Sequence, residues 1–337
     1  MRTLIIAATI SLLFAALTGC VPKSITLNLT NERGRVRESV VMRGAGTGPK
    51  VAQIDLSGVI TSGSVSAFGS PALLDDMALM LAKAESDAQV RAVVLHINSP
   101  GGSVAASETL ASLIEGFRKR SGKPVVVSMG EVAASGGYYA AVAADRIVAQ
   151  PSTITGSVGV IVPTLNVADG LARIGIRSRS ITSGPNKDIA NPLEPANESH
   201  YAILQGIVDE FYSDFHARVV TARPNLKNPD SVLDGSVYTG RRALELGLVD
   251  MLGGIPEAFA EAKRLAGVEN AVLVKYYRSG SKPMTPYASA QTPESSIPRA
   301  ESTGLIPGLA GRVTSNSDAS DPGFYYLWLP PGSLMLE

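Results

Sequence analysis

The chain has 337 residues and a balanced charge, with 30 lysines and arginines against 30 aspartates and glutamates. A chain of this length can bury a substantial core, in one large domain or two small ones. Nucleic acid is not an expected partner, because phosphate binding requires an excess of positive charge.

The first nineteen residues are typical of an export signal. Arg2 supplies a positive charge, and residues 4–17 form an apolar run without a charged side chain. A spanning helix needs about 20 apolar residues, so this shorter run predicts a signal peptide over residues 1–19. Leu-Thr-Gly precedes Cys20, a pattern similar to the bacterial lipobox, in which the cysteine becomes the first mature residue and carries the lipid.

Cys20 is the only cysteine of the chain, so the sequence excludes an internal disulfide framework and a cysteine-rich zinc site. We therefore expect a lipoprotein of the cell envelope, anchored to a membrane outside the cytoplasm by acyl chains rather than by a spanning helix. The alternative is an ordinary buried cysteine near a cleavage site. The sequence does not distinguish the inner from the outer membrane.

Strand-like and helix-like segments alternate through the middle of the chain. Residues 20–48 are polar and predict a tether with a short strand. The predicted strands are residues 51–56, 91–97, 125–127, 146–149 and 178–181. The predicted helices are residues 73–84, 105–120, 197–222, one from about residue 240, and 256–265. This alternation predicts a layered α/β domain over residues 49–278.

The composition changes after the domain. Residues 279–322 are rich in Ser, Pro, Gly, Thr and Ala and cannot bury enough apolar surface to fold alone, so residues 279–337 are predicted to be a low-complexity tail. The tail carries an apolar cluster over residues 324–329 that contains the only tryptophan. An exposed cluster of this kind usually marks a contact, so we expect it to lie in an extended groove.

Three short segments contain residues suited to chemistry. Residues 98–103, Asn-Ser-Pro-Gly-Gly-Ser, follow a predicted strand and precede a helix, so their N–H groups can bind an anion. Ser135, in Ala-Ser-Gly-Gly-Tyr-Tyr, occupies a similar turn, where a hydroxyl can point outward beside the N–H of Gly136. Lys187 lies in a loop. Taken singly, Ser103 and Ser135 could be simple helix N-caps, and Lys187 a solvated charge.

Together these segments resemble the signal peptide peptidase A family of serine peptidases, peptidase family S49. The motifs occur in order as Ser-Pro-Gly-Gly, Ala-Ser-Gly-Gly-Tyr-Tyr, Thr-Gly-Ser-Val-Gly-Val and a Lys-Asp loop, followed by Tyr-Thr-Gly-Arg. The resemblance covers residues 49–270. It implies a single catalytic α/β domain with the crotonase/Clp-like ββα spiral fold.

The resemblance also implies a role for each matching residue. The family's functional residues correspond here to the nucleophile Ser135, the general base Lys187, the supporting Ser157, and oxyanion-hole donors Gly136 and either Gly101 or Gly102. The choice between the last two stays open. A lysine base must be neutral, and burial in an apolar wall favours the neutral amine. No cofactor and no metal are implied.

The expected substrates are signal peptide remnants and other unfolded or apolar peptides. Tandem relatives in the family keep the working lysine in one copy and the serine in the other. A single-copy chain that follows this plan must bring Ser135 of one protomer to Lys187 of the next. We therefore expect a homo-oligomer, a ring or dome with sites shared between protomers. The peptidase's own groove is the candidate groove for the chain's apolar cluster.

Three alternatives compete with this interpretation. A Ser-His-Asp mechanism, as in the Clp peptidase, needs a histidine near Val160, and none is there. An acyl-CoA hydratase of the same fold would need neither a Ser-Gly-Gly turn nor an export signal. A catalytically inactive lipoprotein scaffold stays open. The carboxylates of Asp55, Asp145 and Asp250 lack ligand spacing, so they do not predict a metal site.

Overall fold

The computed structural model describes residues 35–43, 48–62, 73–278, 282–288 and 324–328. The predicted signal peptide and Cys20 lie outside the described residues. Within the described ranges, no helix combines the length and the apolar character that crossing a membrane would require. The compact unit that contains the domain begins at Val36.

The elements of the described ranges alternate between strands and helices, as the sequence predicted. The strands are β1 (Arg37–Arg43), β2 (Lys50–Ser57), β3 (Val90–Ser99), β4 (Gly101–Ser103), β5 (Val125–Ala134), β6 (Arg146–Ala149), β7 (Ile154–Gly156), β8 (Val237–Thr239), β9 (Met251–Leu252), β10 (Val272–Tyr277) and β11 (Tyr325–Leu327). The helices are α1 (Leu73–Ser86), α2 (Val104–Ser121), α3 (Gly136–Ala141), α4 (Ala168–Arg173), α5 (Glu198–Ala222), α6 (Pro229–Val232), α7 (Gly240–Leu246) and α8 (Ile255–Leu265).

A mixed sheet forms the centre of the domain. In the described part of the chain its order is β1-β10-β2-β3-β5-β6-β9, with β7 paired to β5 and β8 paired to β7. Strands β2, β3, β5 and β6 run parallel, as helical crossovers require. The first half of β5 is a continuous buried run because helices cover the parallel strands on both faces.

Two apolar layers flank this sheet. One contains α1 and α2, whose Met77, Leu110 and Phe117 are almost completely buried. The other contains α8, which buries Phe259 against the opposite face. The packed layers fix the carboxyl ends of β3 and β5, and both glycine-rich motifs follow those ends. The sheet therefore brings the two motifs together.

The predicted strand over residues 178–181 is wrong. These residues are irregular, and Ile181 is 99% exposed. The backbone N–H of Ser180 donates to the carboxylate of Glu194, and the Ser180 hydroxyl accepts from the Asn191 side chain. The segment has one apolar side chain and no core surface to cover, so side-chain contacts replace strand pairing.

Parts of the predicted tether and tail pack on the domain. Strand β1, within the predicted tether, pairs antiparallel with β10. In residues 282–288, the carbonyl of Pro286 accepts from Gln53 Nε2 and from Lys275 Nζ, each at 2.8 Å. Lys275 is buried and forms an ion pair with Asp55 at 2.5 Å. This short stretch is therefore held by buried polar groups.

Candidate active site

Ser135 lies on a strained turn between β5 and α3. Its φ of 51° and ψ of −117° belong to a region that non-glycine residues rarely occupy, at a cost of about 1–3 kcal/mol. Its N–H donates to the Gly156 carbonyl at 2.8 Å, which helps to hold the turn. The Ser135 hydroxyl is buried and has no hydrogen-bond partner among the described residues. A strained strand-to-helix turn of this kind presents a serine for nucleophilic attack.

The glycines after Ser135 allow α3 to pack closely against the first motif. A Cβ atom on Gly136 would lie 2.4 Å from Oγ of Ser107, and one on Gly137 would lie 2.8 Å from the Ser99 carbonyl. Neither position has room for a side chain. The Ser-Gly-Gly sequence is therefore a requirement of this contact as well as of the turn.

Two backbone N–H groups lie near each other beside this turn. A Cβ atom on Gly136 would be 3.1 Å from the Gly102 nitrogen. The Gly101 N–H donates instead to Oγ of Ser99 at 3.1 Å, so it already has a partner. Of the two glycines left open by the sequence, Gly102 is the one whose N–H is not engaged by Ser99.

The described part of the apolar cluster, residues 324–328, occupies a groove next to these groups. Strand β11 pairs antiparallel with β4. Val104 donates to the Phe324 carbonyl at 3.2 Å, and Trp328 donates to the Pro100 carbonyl at 2.8 Å. On its other edge, Tyr325 exchanges two 3.0 Å hydrogen bonds with Ile161. The prediction that the cluster lies in an extended groove is confirmed for these residues.

An aromatic pocket receives the side chain of Tyr326. Its ring lies 5.1 Å from Tyr139 and 4.6 Å from Phe215, between centroids, and its hydroxyl donates to the Phe211 carbonyl at 3.1 Å. Burial raises the pKa of the Tyr326 hydroxyl, so it stays protonated and can donate. Sequence reasoning missed this pocket, although the i,i+4 spacing of Phe211 and Phe215 marks one face of α5.

Ser157 and Lys187 are placed differently with respect to Ser135. Ser157 directly follows β7, and β7 pairs parallel with β5 so that Gly156 faces Ala134. Ser157 therefore lies near Ser135, and it shares a positive φ of 51°. Lys187 is exposed in a turn. Because the Ser135 hydroxyl lacks any partner in the described ranges, the lysine amine is not bonded to it within one chain.

The histidines contact other groups. Nδ1 of His96 lies 3.1 Å from the Ser128 carbonyl, and Nε2 of His200 lies 2.9 Å from the Pro185 carbonyl. His216 lies 3.5 Å from Asp230. Burial lowers the pKa of His96, which favours its neutral form. In the part of the chain that the structure describes, therefore, no histidine forms a hydrogen bond with the candidate nucleophile.

A strained serine between a parallel strand and a helix, with backbone N–H groups beside it, is an arrangement typical of serine hydrolases. The sequence model of peptidase family S49 matches residues 117–269. Protease 4 of Salmonella typhi is 38% identical over 235 residues, which are 69% of this chain and 37% of that protein. An Enterococcus faecium protein named for signal peptide peptidase SppA is 30% identical over 300 residues, covering 86% of this chain and 85% of that protein.

The chain belongs to peptidase family S49, the signal peptide peptidase A family. The predicted family and the predicted α/β fold class are both confirmed. Among solved structures, a ClpP1 variant from Listeria monocytogenes is 16% identical with a TM-score of 0.40, covering 61% of this chain and 93% of that one. The chain spans little more than a third of the length of the Salmonella protein.

Proposed function

We propose that the chain is a membrane-tethered serine endopeptidase that hydrolyses unfolded or apolar peptides with a Ser135–Lys187 dyad. The observation that carries this proposal is the extended segment bound along β4. A peptide backbone there makes hydrogen bonds on both edges, to Val104 and Pro100 on one side and to Ile161 on the other. Such a groove recognises any extended chain by its main chain, as other strand-adding sites do.

The proposed reaction is acyl transfer to Ser135 followed by hydrolysis. The Ser135 hydroxyl attacks the peptide carbonyl carbon while the Lys187 amine takes its proton. The N–H groups of Gly102 and Gly136 stabilise the oxyanion. The C–N bond then breaks, and the lysine returns the proton to the leaving amine. Water, activated by the Lys187 amine, then hydrolyses the ester at Ser135 and frees the acid product.

The lysine is proposed to come from a neighbouring protomer. Lys187 is exposed, whereas the Ser135 hydroxyl is buried and has no partner in the described part of the chain. Ser157 lies beside the serine turn and could orient an incoming amine. These positions support a homo-oligomer with sites shared between protomers, and in such an assembly the neighbour's contact would shield the amine from water. The contact between neighbouring protomers would also keep folded proteins out of the groove.

Labelling and hydrolysis test the proposal together. A serine-directed acylating probe should modify Ser135 in the purified oligomer, and the same protein should cleave fluorogenic apolar peptides. Ser135→Ala should remove the label and lower kcat about 10⁴-fold or more, because a nucleophile and a base that act together lose nearly all activity when either one is removed. Ser112→Ala, on the exposed face of α2, is the matched control. This variant should keep both the labelling of Ser135 and the wild-type rate of hydrolysis. A folded oligomer that shows neither labelling nor hydrolysis would favour the scaffold alternative.

The proposed anchor makes a separate prediction. Cys20→Ser should leave the protein without lipid, because the hydroxyl cannot replace the thiol that carries the diacylglyceryl group. The apolar run before it would remain, so membrane association alone is a poor readout. Mass spectrometry of the N-terminus should find acylated Cys20 in the wild type and an unmodified precursor in the variant. An unlipidated N-terminus at another residue of the wild type would refute the lipoprotein assignment.

A further inference from the structure

The register of β11 places one carbonyl at the candidate oxyanion hole. In an antiparallel pair, directly opposed residues alternate between hydrogen-bonded and non-hydrogen-bonded pairs. The bonds from Val104 to Phe324 and from Trp328 to Pro100 set this alternation, so Tyr326 and Gly102 form the hydrogen-bonded pair between them. The Gly102 N–H therefore faces the Tyr326 carbonyl.

Close contacts confirm that this carbonyl lies among the motif glycines. A Cβ atom on Gly101 would lie 2.0 Å from the Tyr326 oxygen and 2.7 Å from the Gly136 nitrogen. A Cβ atom on Gly136 would lie 3.0 Å from the same oxygen. Tyr325 directs its own carbonyl toward Ile161 and Phe324 directs its carbonyl toward Val104, so of these three residues it is Tyr326 that places its carbonyl at the glycines.

The side chains on each side of this carbonyl enter separate pockets. Tyr326 fills the aromatic pocket of Tyr139 and Phe215. Two residues further along, Trp328 lines a cavity of about 730 Å³ between α1 and the ends of β2 and β3. Its walls include Met77 and Met80, which are unbranched and adaptable side chains.

We propose that residues 324–328 are bound as a substrate would be, with the Tyr326–Leu327 peptide bond at the reacting position. The tail then competes with substrates for the groove. The aromatic pocket takes the side chain before the reacting bond, and the Met77–Met80 cavity takes a large apolar side chain two residues after it. The comparison with a substrate depends on the proposed function. The occupancy of the groove by residues 324–328 does not depend on it.

The chemistry of this register is ordinary hydrolysis. If Ser135 attacks the Tyr326 carbonyl carbon, the C–N bond to Leu327 breaks and the amine of Leu327 takes the proton. Water then releases the Tyr326 carboxylate from the ester. An intact tail reduces the fraction of open grooves, and the apparent Kd of a competing peptide rises in inverse proportion to that fraction.

Peptide binding to the full-length Ser135→Ala protein tests occupancy without catalysis. The probe is a fluorescent peptide with the sequence of residues 321–330, followed by anisotropy. Tyr326→Ala in the protein should tighten peptide binding about tenfold or more, because it weakens the internal competitor. Met284→Ala, which alters an exposed side chain outside the groove, is the control and should bind as the parent does. Equal affinities in folded parent and variant would overturn the proposal.

Two further measurements keep the test decisive. If Tyr326→Ala does not fold, Trp328→Ala carries the test, because this side chain is only partly buried, and it should shift binding in the same direction. With intact Ser135, the Tyr326→Ala enzyme should show a lower KM and an unchanged kcat, and should cut the peptide between its second tyrosine and the leucine. Cleavage at other bonds alone would refute the register. Tighter binding without any hydrolysis would refute the proposed function and leave the occupancy intact.

Discussion

Replacing Lys187 with alanine should lower kcat/KM for an apolar peptide about 10⁴-fold or more, because Ser135 would lose the base that accepts its proton. Among the described residues of a single chain, the side chain of Lys187 is exposed. Thermal unfolding of the variant should therefore match that of the wild type.

Two further variants test whether Lys187 acts as a base or only through its positive charge. Lys187→Arg keeps the positive charge, but a guanidinium does not lose its proton at any pH near neutrality. The variant should therefore be as inactive as Lys187→Ala. Lys282→Ala removes another exposed lysine and should leave kcat/KM unchanged. Substantial activity in the arginine variant would mean that Lys187 acts through its charge, and the dyad would have to be abandoned.

Mixing two inactive proteins should restore activity from a background near zero. When Ser135→Ala and Lys187→Ala protomers are dissociated and reassembled in equal amounts, about one quarter of shared sites should pair an intact serine with an intact lysine if assembly is random. Hydrolysis should recover to about that share of the wild-type rate.

The control for this experiment is the double variant Ser135→Ala/Lys187→Ala. Mixed with either single variant it cannot complete a site, so no recovery is expected. Native mass spectrometry of differently labelled protomers establishes that the oligomers are mixed. Demonstrably mixed oligomers without activity would show that the dyad is completed within one chain.

Local sequence determined much of the candidate site in advance. Strands and helices were predictable where apolar periodicity was strong, as in α2 and β3, and glycine-rich turns followed two of the predicted strands. The position of Ser135 on such a turn followed from small neighbours on both sides. The apolar cluster was recognisable as a binding segment because so much aromatic surface is costly to expose.

Features that depend on long-range contacts were not predictable in this way. The preference for the Gly102 N–H over that of Gly101 depends instead on a local contact, the hydrogen bond from the Gly101 N–H to Oγ of Ser99, which the sequence pattern does not reveal. The aromatic pocket joins Tyr139 to Phe215 across a long stretch of sequence. The predicted strand at residues 178–181 is wrong because, within the described ranges, this segment pairs with no strand and is held by side-chain contacts instead.

Under the proposed function, the strained backbone of Ser135 means that the domain gives up some folding stability for reactivity. A left-handed φ costs a serine about 1–3 kcal/mol, whereas glycine adopts it freely. Ser135→Gly would therefore be expected to stabilise the domain while it removes the proposed nucleophile. Ser157→Gly, where the same φ recurs, would relieve the same strain while it removes the proposed supporting hydroxyl. Both positions therefore carry a conformational cost that a use for the serine side chains would offset, and the proposed function supplies such a use.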